Sequence, residues 1–169
     1  MGFSLTGVLT RILILCSFFC GRADIILDRL SFGSSVEQIA TKDIHQVDIH
    51  FPQKEFLTVL FFFNIEKASN IRILSEISFM LINLPYDRIE LIGISKGKSR
   101  LFFGLKESRN NFYRLLNDSD SNISERFDYV CGICIKILFI DRECRLRYIT
   151  SHYDPQFLRQ VIERYGNEK

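Results

Sequence analysis

The fold of this chain is decided by one short stretch near the C-terminus, LFIDRECRLRY at residues 138–148. The stretch begins inside an apolar run at residues 135–141, which predicts a buried β-strand. Residues 141–144 then predict a tight turn. Residues 145–149 alternate charged and apolar side chains, as expected of the return strand of a hairpin. The stretch therefore predicts a β-hairpin whose first strand is buried.

Two further apolar runs, at residues 57–63 and 88–95, predict strands buried on both faces, the kind found in parallel or mixed sheets. Between them, residues 66–84 carry apolar side chains three and four apart and stop before Pro85, which predicts an amphipathic helix. The other predicted elements are an edge strand or hairpin arm at 43–50, a helix at 98–109, a short extended piece at 112–116, a short helix at 123–129 capped by the last residues of the loop before it, and a final helix begun by Asp154 and Pro155.

This order of elements predicts an α/β protein with one mixed central sheet. Parallel strands need helical crossovers, whereas the two strands of the final hairpin must be antiparallel. We therefore expect a three-layer arrangement with helices on both faces of the sheet, completed by a C-terminal β-hairpin and a helix.

Length and composition fit one domain, since the chain has 169 residues, 47% of them hydrophobic, with 16 Phe and no Trp. The formal net charge is only +2, and basic and acidic residues are interspersed. No block of like charge marks a nucleic-acid or anionic-membrane surface, so we expect no nucleic-acid partner.

The N-terminus has the pattern of an export signal. Arg11 precedes an apolar run at residues 12–20, and small residues follow at Gly21 and Ala23. We expect cleavage after Ala23, a lead-in at residues 24–35 and one domain at residues 36–169, in a periplasmic or other extracytoplasmic location. The same run also fits an uncleaved anchor, which would be the chain's one link to a membrane, or a buried N-terminal helix.

The hairpin stretch resembles the pattern F-L-I-D-x-x-G-x-I-x-Y of thioredoxin-like proteins. The group it most resembles is the exported thiol–disulfide oxidoreductases of the redoxin superfamily (AhpC/TSA-like and TlpA/ResA-like). Residues 59–63 resemble the strand of "V-L-x-F-W-A-S-W-C-P-P-C", residues 89–95 resemble "V-x-V-V-G-V-S", and residues 127–134 resemble "Y-x-V-x-G-x-P" with one extra residue. The resemblance covers residues 36–165 and implies a thioredoxin-like fold.

The same resemblance places the family's C-P-P-C on Lys67, Ala68, Ser69 and Asn70. Thiol–disulfide exchange needs a thiolate at this helix N-terminus and a second thiol to resolve the mixed disulfide, and both cysteines are missing. Ser69 and Asn70 instead predict helix capping. The family's cis-proline position falls on Cys134. A degenerate active site is therefore implied.

Three cysteines would remain after cleavage. Cys131 and Cys134 form a displaced C-x-x-C, which is either a relocated redox pair whose Cys134 thiolate is favoured by Lys67, or two small residues entering a strand. Cys144 takes the family's glycine position in the turn, and we expect it to be exposed and able to link a dimer. Two metal ligands are too few, and the histidines lack metal spacing, so no metal site and no cofactor are predicted.

The sequence thus predicts an exported, redoxin-type module that has lost the usual dithiol and binds a protein partner through the former active-site face. The alternative is a thiol–disulfide oxidoreductase that uses the displaced Cys131/Cys134 pair on a thiol or disulfide substrate. An unrelated small α/β exported protein is a third possibility, distinguished by strand order.

Overall fold

The chain is described by a computed structural model over residues 31–106, 113–130 and 134–166. The segment Phe32–Lys169 forms one compact unit. In chain order, its elements are β1 Ile39–Lys42, β2 Asp48–Phe51, β3 Leu57–Phe62, α1 Ala68–Ile82, β4 Ile89–Ser95, α2 Ser99–Lys106, β5 Arg114–Asn117, α3 Asn122–Arg126, β6 Lys136–Ile140, β7 Leu146–Thr150 and α4 Pro155–Gly166.

Five strands form a mixed sheet in the order β5-β4-β3-β6-β7. β3, β4 and β5 are parallel, whereas β6 runs antiparallel to β3 and β7 runs antiparallel to β6. The three apolar runs therefore lie side by side at the centre, and the predicted hairpin closes one edge. Both features confirm the α/β fold expected from the sequence.

The core explains why β3 is central. All six of its residues are buried, so other elements must pack against both faces of this strand. Val59, Phe61 and Phe63 join one hydrophobic cluster with Leu74 and Ile77 of α1, and the same cluster contains Leu158, Val161 and Ile162 of α4. On the other face, the ring of Phe62 lies 5.6 Å from that of Phe127.

The N-terminal hairpin differs from the prediction of a strand or hairpin arm at residues 43–50. β2 begins only at Asp48 and pairs antiparallel with β1. The Asp43 carboxylate accepts hydrogen bonds from the backbone N–H groups of His45 and Val47, at 2.8 and 3.0 Å. Because this side chain closes a turn on its own backbone, the first residues of the predicted strand form the turn instead.

The short helix α3 is also capped differently from the prediction. Ser121 stands at its N-cap with a φ of 62°, and its side chain makes no capping hydrogen bond in the described structure. The carboxylate of Asp118 accepts the N–H groups of Ile123 and Ser124 instead, at 3.1 and 2.7 Å. The cap therefore comes from further back in the loop than its last residues.

The carboxylate of Asp141 stabilises the turn of the β6–β7 hairpin. Its Oδ1 accepts the N–H groups of Glu143 at 2.9 Å and Arg145 at 2.8 Å, and its Oδ2 accepts the guanidinium of Arg147. The preceding chain also pairs with this hairpin, since the N–H of Val36 donates to the carbonyl of Cys144 at 2.7 Å. The hairpin is thus held by its own turn and by the start of the domain.

The expected signal sequence at residues 1–23 lies outside the described residues, as do residues 24–30 of the expected lead-in. Within the described part of the chain, no helix has the length and apolar character needed to cross a membrane.

Candidate functional site

Three segments meet at the end of the sheet where β3 finishes and β6 begins, which we call the site end. Phe62 of β3 lies opposite Lys136 of β6 in the antiparallel register. The turn at residues 64–67, the start of α1 and the approach to β6 at Cys134 therefore share one end of the sheet.

The turn after β3 is fixed by Asn64 and Ser95. The Asn64 side chain accepts the N–H of Glu66 at 2.8 Å, and its carbonyl accepts the N–H of Lys67 at 3.1 Å. The N–H of Ile65 donates to the buried Ser95 hydroxyl at 3.1 Å. The junction between β3 and α1 is consequently anchored to the neighbouring strand.

The start of α1 carries the four residues singled out in the sequence. Lys67 is the N-cap, with an extended backbone, and Ala68 and Ser69 are exposed. Asn70 is 8% exposed, and its side chain donates to the Asn64 carbonyl at 3.4 Å rather than capping the helix. These four residues include no thiol, so the start of the helix offers no group for thiol–disulfide exchange.

The approach to β6 is held by aromatic side chains. The Tyr129 ring lies 5.2 Å from the ring of Phe62, and its hydroxyl donates to the carbonyl of Cys134 at 3.0 Å. Cys134 itself is exposed and carries a free thiol. The Cys134 thiol is therefore exposed to solvent, and the hydrogen bond from Tyr129 holds the backbone that carries it.

The side chain of Lys136 is hydrogen-bonded to the backbone of the segment that leads to β6. Its ammonium donates to the backbone carbonyls of Phe127 and Asp128, the second at 3.2 Å. Burial lowers the pKa of Lys136, while the charges of Asp128 and Cys134 act in the opposite direction. The Lys136 ammonium is thus held by backbone carbonyls at the site end.

The displaced C-x-x-C is described only in part. Cys134 lies at the site end, together with Lys67, Ala68, Ser69 and Asn70. Cys131 falls outside the described residues, so its position relative to Cys134 stays a prediction.

Cys144 is placed differently from the sequence expectation. It is half-buried rather than exposed, because the turn brings its sulfur to 3.9 Å from the carbonyl oxygen of Pro52. Burial raises the pKa of the Cys144 thiol, and the charge of Asp141 acts in the same direction. Both effects disfavour the thiolate that disulfide formation requires.

No group of three or more His, Cys, Asp or Glu side chains is placed to hold a metal ion among residues 31–106, 113–130 and 134–166. Asp154, which follows His152 and Tyr153, caps α4 as predicted. Its carboxylate accepts the N–H groups of Gln156 and Phe157, at 2.9 and 3.1 Å.

A groove of about 730 Å³ lies between α1 and the start of α4. Phe79 stands at this groove and is 71% exposed. Burial raises the pKa of Tyr153 to about 12, aided by the charge of Glu76 and by a hydrogen bond to that side chain. This groove was not predicted from the sequence.

No site role was predicted from the sequence for Lys136, Asp128 or Tyr129 either. The available signal was Lys136, the one charged residue inside the apolar run at 135–140. Its position two residues after Cys134 places both side chains on one face of an extended chain.

Known proteins resemble this chain in architecture but not in sequence. No protein-family model matches the sequence, and neither does any curated protein. The thioredoxin domain of a thiol-disulfide oxidoreductase from Bacteroides vulgatus superposes with a TM-score of 0.62 and 16% identity, over 82% of this chain and 99% of that one. StoA from Bacillus subtilis gives 0.61 and 13%, over 77% and 98%. A thiol peroxidase from Chromobacterium violaceum gives 0.62 and 13%, over 79% and 87%.

This chain has the thioredoxin-like fold. The match spans nearly the whole of these solved chains, and the resemblance seen in the hairpin stretch is confirmed at the level of the fold. One fold serves many functions, so the chemistry of this thioredoxin-like protein depends on its own residues.

Proposed function

We propose that this chain is an exported thioredoxin-like module that has lost its helix-terminal dithiol and binds a protein partner through the site end. One observation carries the proposal: α1 begins at the site end with Lys67, Ala68, Ser69 and Asn70, none of which is a thiol, while the fold around them is retained. A surface kept without its reactive groups is suited to binding rather than to exchange.

The exposure pattern at the site end supports binding. Lys67, Ala68 and Ser69 are exposed, and Val130, in the loop that leads toward Cys134, is 67% exposed. Charged, small and apolar groups thus lie at one end of the sheet, on segments held by the hydrogen bonds of Asn64 and Tyr129. Such pre-ordered surfaces lose little conformational entropy on binding.

Insulin reduction by dithiothreitol tests the loss of exchange activity. The full chain should leave the rate at the uncatalysed background, and Cys131→Ser and Cys134→Ser should change nothing. Catalysis by the unaltered chain that Cys134→Ser abolishes would contradict the proposal.

Partner binding is tested by a photo-crosslinking amino acid placed at Ser69. The matched control places it at Gln160, an exposed position on α4. We expect one discrete crosslinked product at Ser69 in the producing cell and none at Gln160. Equal labelling at both positions would show that the site end has no special role.

The second candidate function is thiol–disulfide exchange by Cys131 and Cys134. The exposed, free thiol of Cys134 beside a basic residue favours it. The insulin assay separates the two candidates, since only this one predicts a rate that depends on Cys134.

Export is tested on the full chain produced in a bacterial host. We expect the mature protein outside the cytoplasm, with Asp24 as its first residue. A retained chain that still carries residues 1–23 would contradict cleavage.

A further inference from the structure

We propose that the outer face of α1 is a dimerisation surface, on which two copies of this chain pack with their α1 helices antiparallel. The proposal goes beyond the proposed function, because it concerns the assembly of the chain with itself and involves no thiol. Its basis is the exposed side of α1, which borders the groove between α1 and the start of α4.

The first argument is that α1 has two apolar faces, although the fold buries only one of them. The inner face packs into the main hydrophobic cluster through the buried residues Leu74, Ile77 and Leu81. The outer face carries two large apolar side chains, Phe79 at 71% exposed and Ile82 at 52% exposed. They are three residues apart and hence lie on one side of the helix. A surface helix needs only one apolar face, so the second one indicates contact with another molecule.

The second argument is that the outer face is complementary to itself. Four residues spaced three and four apart form one stripe along it, and they are Arg72, Ser75, Glu76 and Phe79. The midpoint of this stripe falls between Ser75 and Glu76. Two antiparallel helices that cross at the midpoint bring Arg72 of each copy to Phe79 of the other. An interface with two-fold symmetry requires such a patch, since the same residues serve on both sides.

The charges of the stripe suit these contacts. Arg72 is 82% exposed, and its Nε donates to the Glu76 carboxylate at 2.9 Å. A guanidinium attracts the face of an aromatic ring, and the attraction grows when the contact excludes water. Glu76 also accepts a hydrogen bond from Tyr153, which lines the same groove. Neighbouring groups therefore compensate this carboxylate at the point where the two copies cross.

The balance of charge favours a second copy over a strongly charged partner. The groove is lined by one carboxylate, Glu76, and by two arginines, Arg72 and Arg159. Arg159 is in turn paired with Glu163 at 2.9 Å. Opposite charges thus alternate on both walls, so neither a polyacidic nor a polybasic segment would meet a complementary field. A surface of mixed charge with an exposed aromatic side chain matches a second surface of the same kind.

Sedimentation equilibrium of the full chain tests the proposal, and we expect a reversible equilibrium between monomer and dimer. Phe79→Ser should weaken dimerisation at least about tenfold, because a few aromatic side chains carry most of the binding energy of an interface. Val47→Ser is the matched control, since it removes an apolar side chain that is 49% exposed elsewhere on the surface. This control should leave the dimer unchanged.

Variants of Arg72 test the antiparallel arrangement. Arg72→Glu should weaken the dimer about tenfold, because it places an anion against the ring of Phe79. Arg72→Lys keeps the cation and should weaken the dimer by no more than about threefold. Equal dimerisation by Arg72→Glu and the unaltered chain would show that the helices do not cross in this way.

A chain that stays monomeric at about 0.1 mM, or a dimer that Phe79→Ser leaves intact, would overturn the proposal. Association through the apolar run at residues 12–20 would persist in Phe79→Ser and would also count against it. In the photo-crosslinking experiment at Ser69, a product of twice the mass of the chain belongs to this dimer, and a product of any other mass belongs to a different partner. Failure here and failure of the proposed function are therefore distinguishable.

Discussion

At the scale of single residues, Cys144 occupies a turn position whose backbone conformation suits glycine better. Its φ is 60°, in the left-handed region that an L-residue occupies at a cost of about 1–2 kcal/mol. The hairpin pattern that this stretch resembles has glycine there, which carries no such cost.

Cys144→Gly should therefore stabilise the protein by about 1 kcal/mol, measured by urea unfolding. Cys144→Ala is the matched control, because it removes the same sulfur but keeps the Cβ atom. A glycine variant no more stable than the alanine variant would show that the turn carries no backbone strain.

Glu90 is a half-buried residue whose carboxylate charge the fold disfavours. Its side chain is 11% exposed, and Arg114 lies 4.0 Å away. Burial raises the pKa of Glu90 above 4.5, and Arg114 offsets this only in part. The folded state therefore binds more protons than the unfolded state at mildly acidic pH.

Stability contributed by Glu90 is full below its unfolded pKa of about 4.5 and is lost as the pH rises through the folded pKa. Glu90→Gln should raise the melting temperature at pH 7, and its advantage should shrink as the pH falls toward 4.5. Glu66→Gln, at an exposed position, is the control and should show no such trend. An advantage that stays constant with pH would argue against this assignment.

At the scale of elements, the hairpin β6–β7 depends on one carboxylate. Asp141 is 3% exposed and accepts hydrogen bonds from two backbone N–H groups and from Arg147. Removing it leaves these donors without their partner in a turn that closes the sheet.

Asp141→Ala should destabilise the protein by about 3 kcal/mol in urea unfolding. Glu143→Ala, in the same turn but exposed, should change stability by less than about 0.5 kcal/mol. Similar effects of the two variants would contradict the role given to Asp141.

Elements were predictable where one local pattern dominates. The apolar runs at 57–63, 88–95 and 135–141 have the length and composition of central strands, and they are neighbours in the sheet. The strand expected from Asp43 was wrong because a side chain-to-backbone hydrogen bond outweighs alternation there. Asp118 was missed as a cap because it lies several residues before the helix it serves.

At the scale of the whole molecule, the fold was predictable but the site only in part. A mixed sheet that ends in a hairpin follows from strand patterns that are visible in the sequence, whereas the thioredoxin-like fold was implied by the resemblance of the hairpin stretch. The environment of Cys134 depends on Tyr129, whose ring packs against Phe62 of β3 and whose hydroxyl donates to the Cys134 carbonyl. Distances of this kind are set by tertiary structure and leave no periodic trace in the chain.

The central claim is that residues 67–70 hold the place of a dithiol in a fold otherwise retained. Lys67 is exposed and Asn70 is buried, the arrangement suited to an attacking thiol and a resolving thiol. The claim is tested most directly by the insulin-reduction rate of the double variant Lys67→Cys/Asn70→Cys, compared with the unaltered chain. We predict that the unaltered chain gives the uncatalysed rate and that the double variant catalyses reduction. A folded double variant without activity, or an active unaltered chain, would contradict the claim.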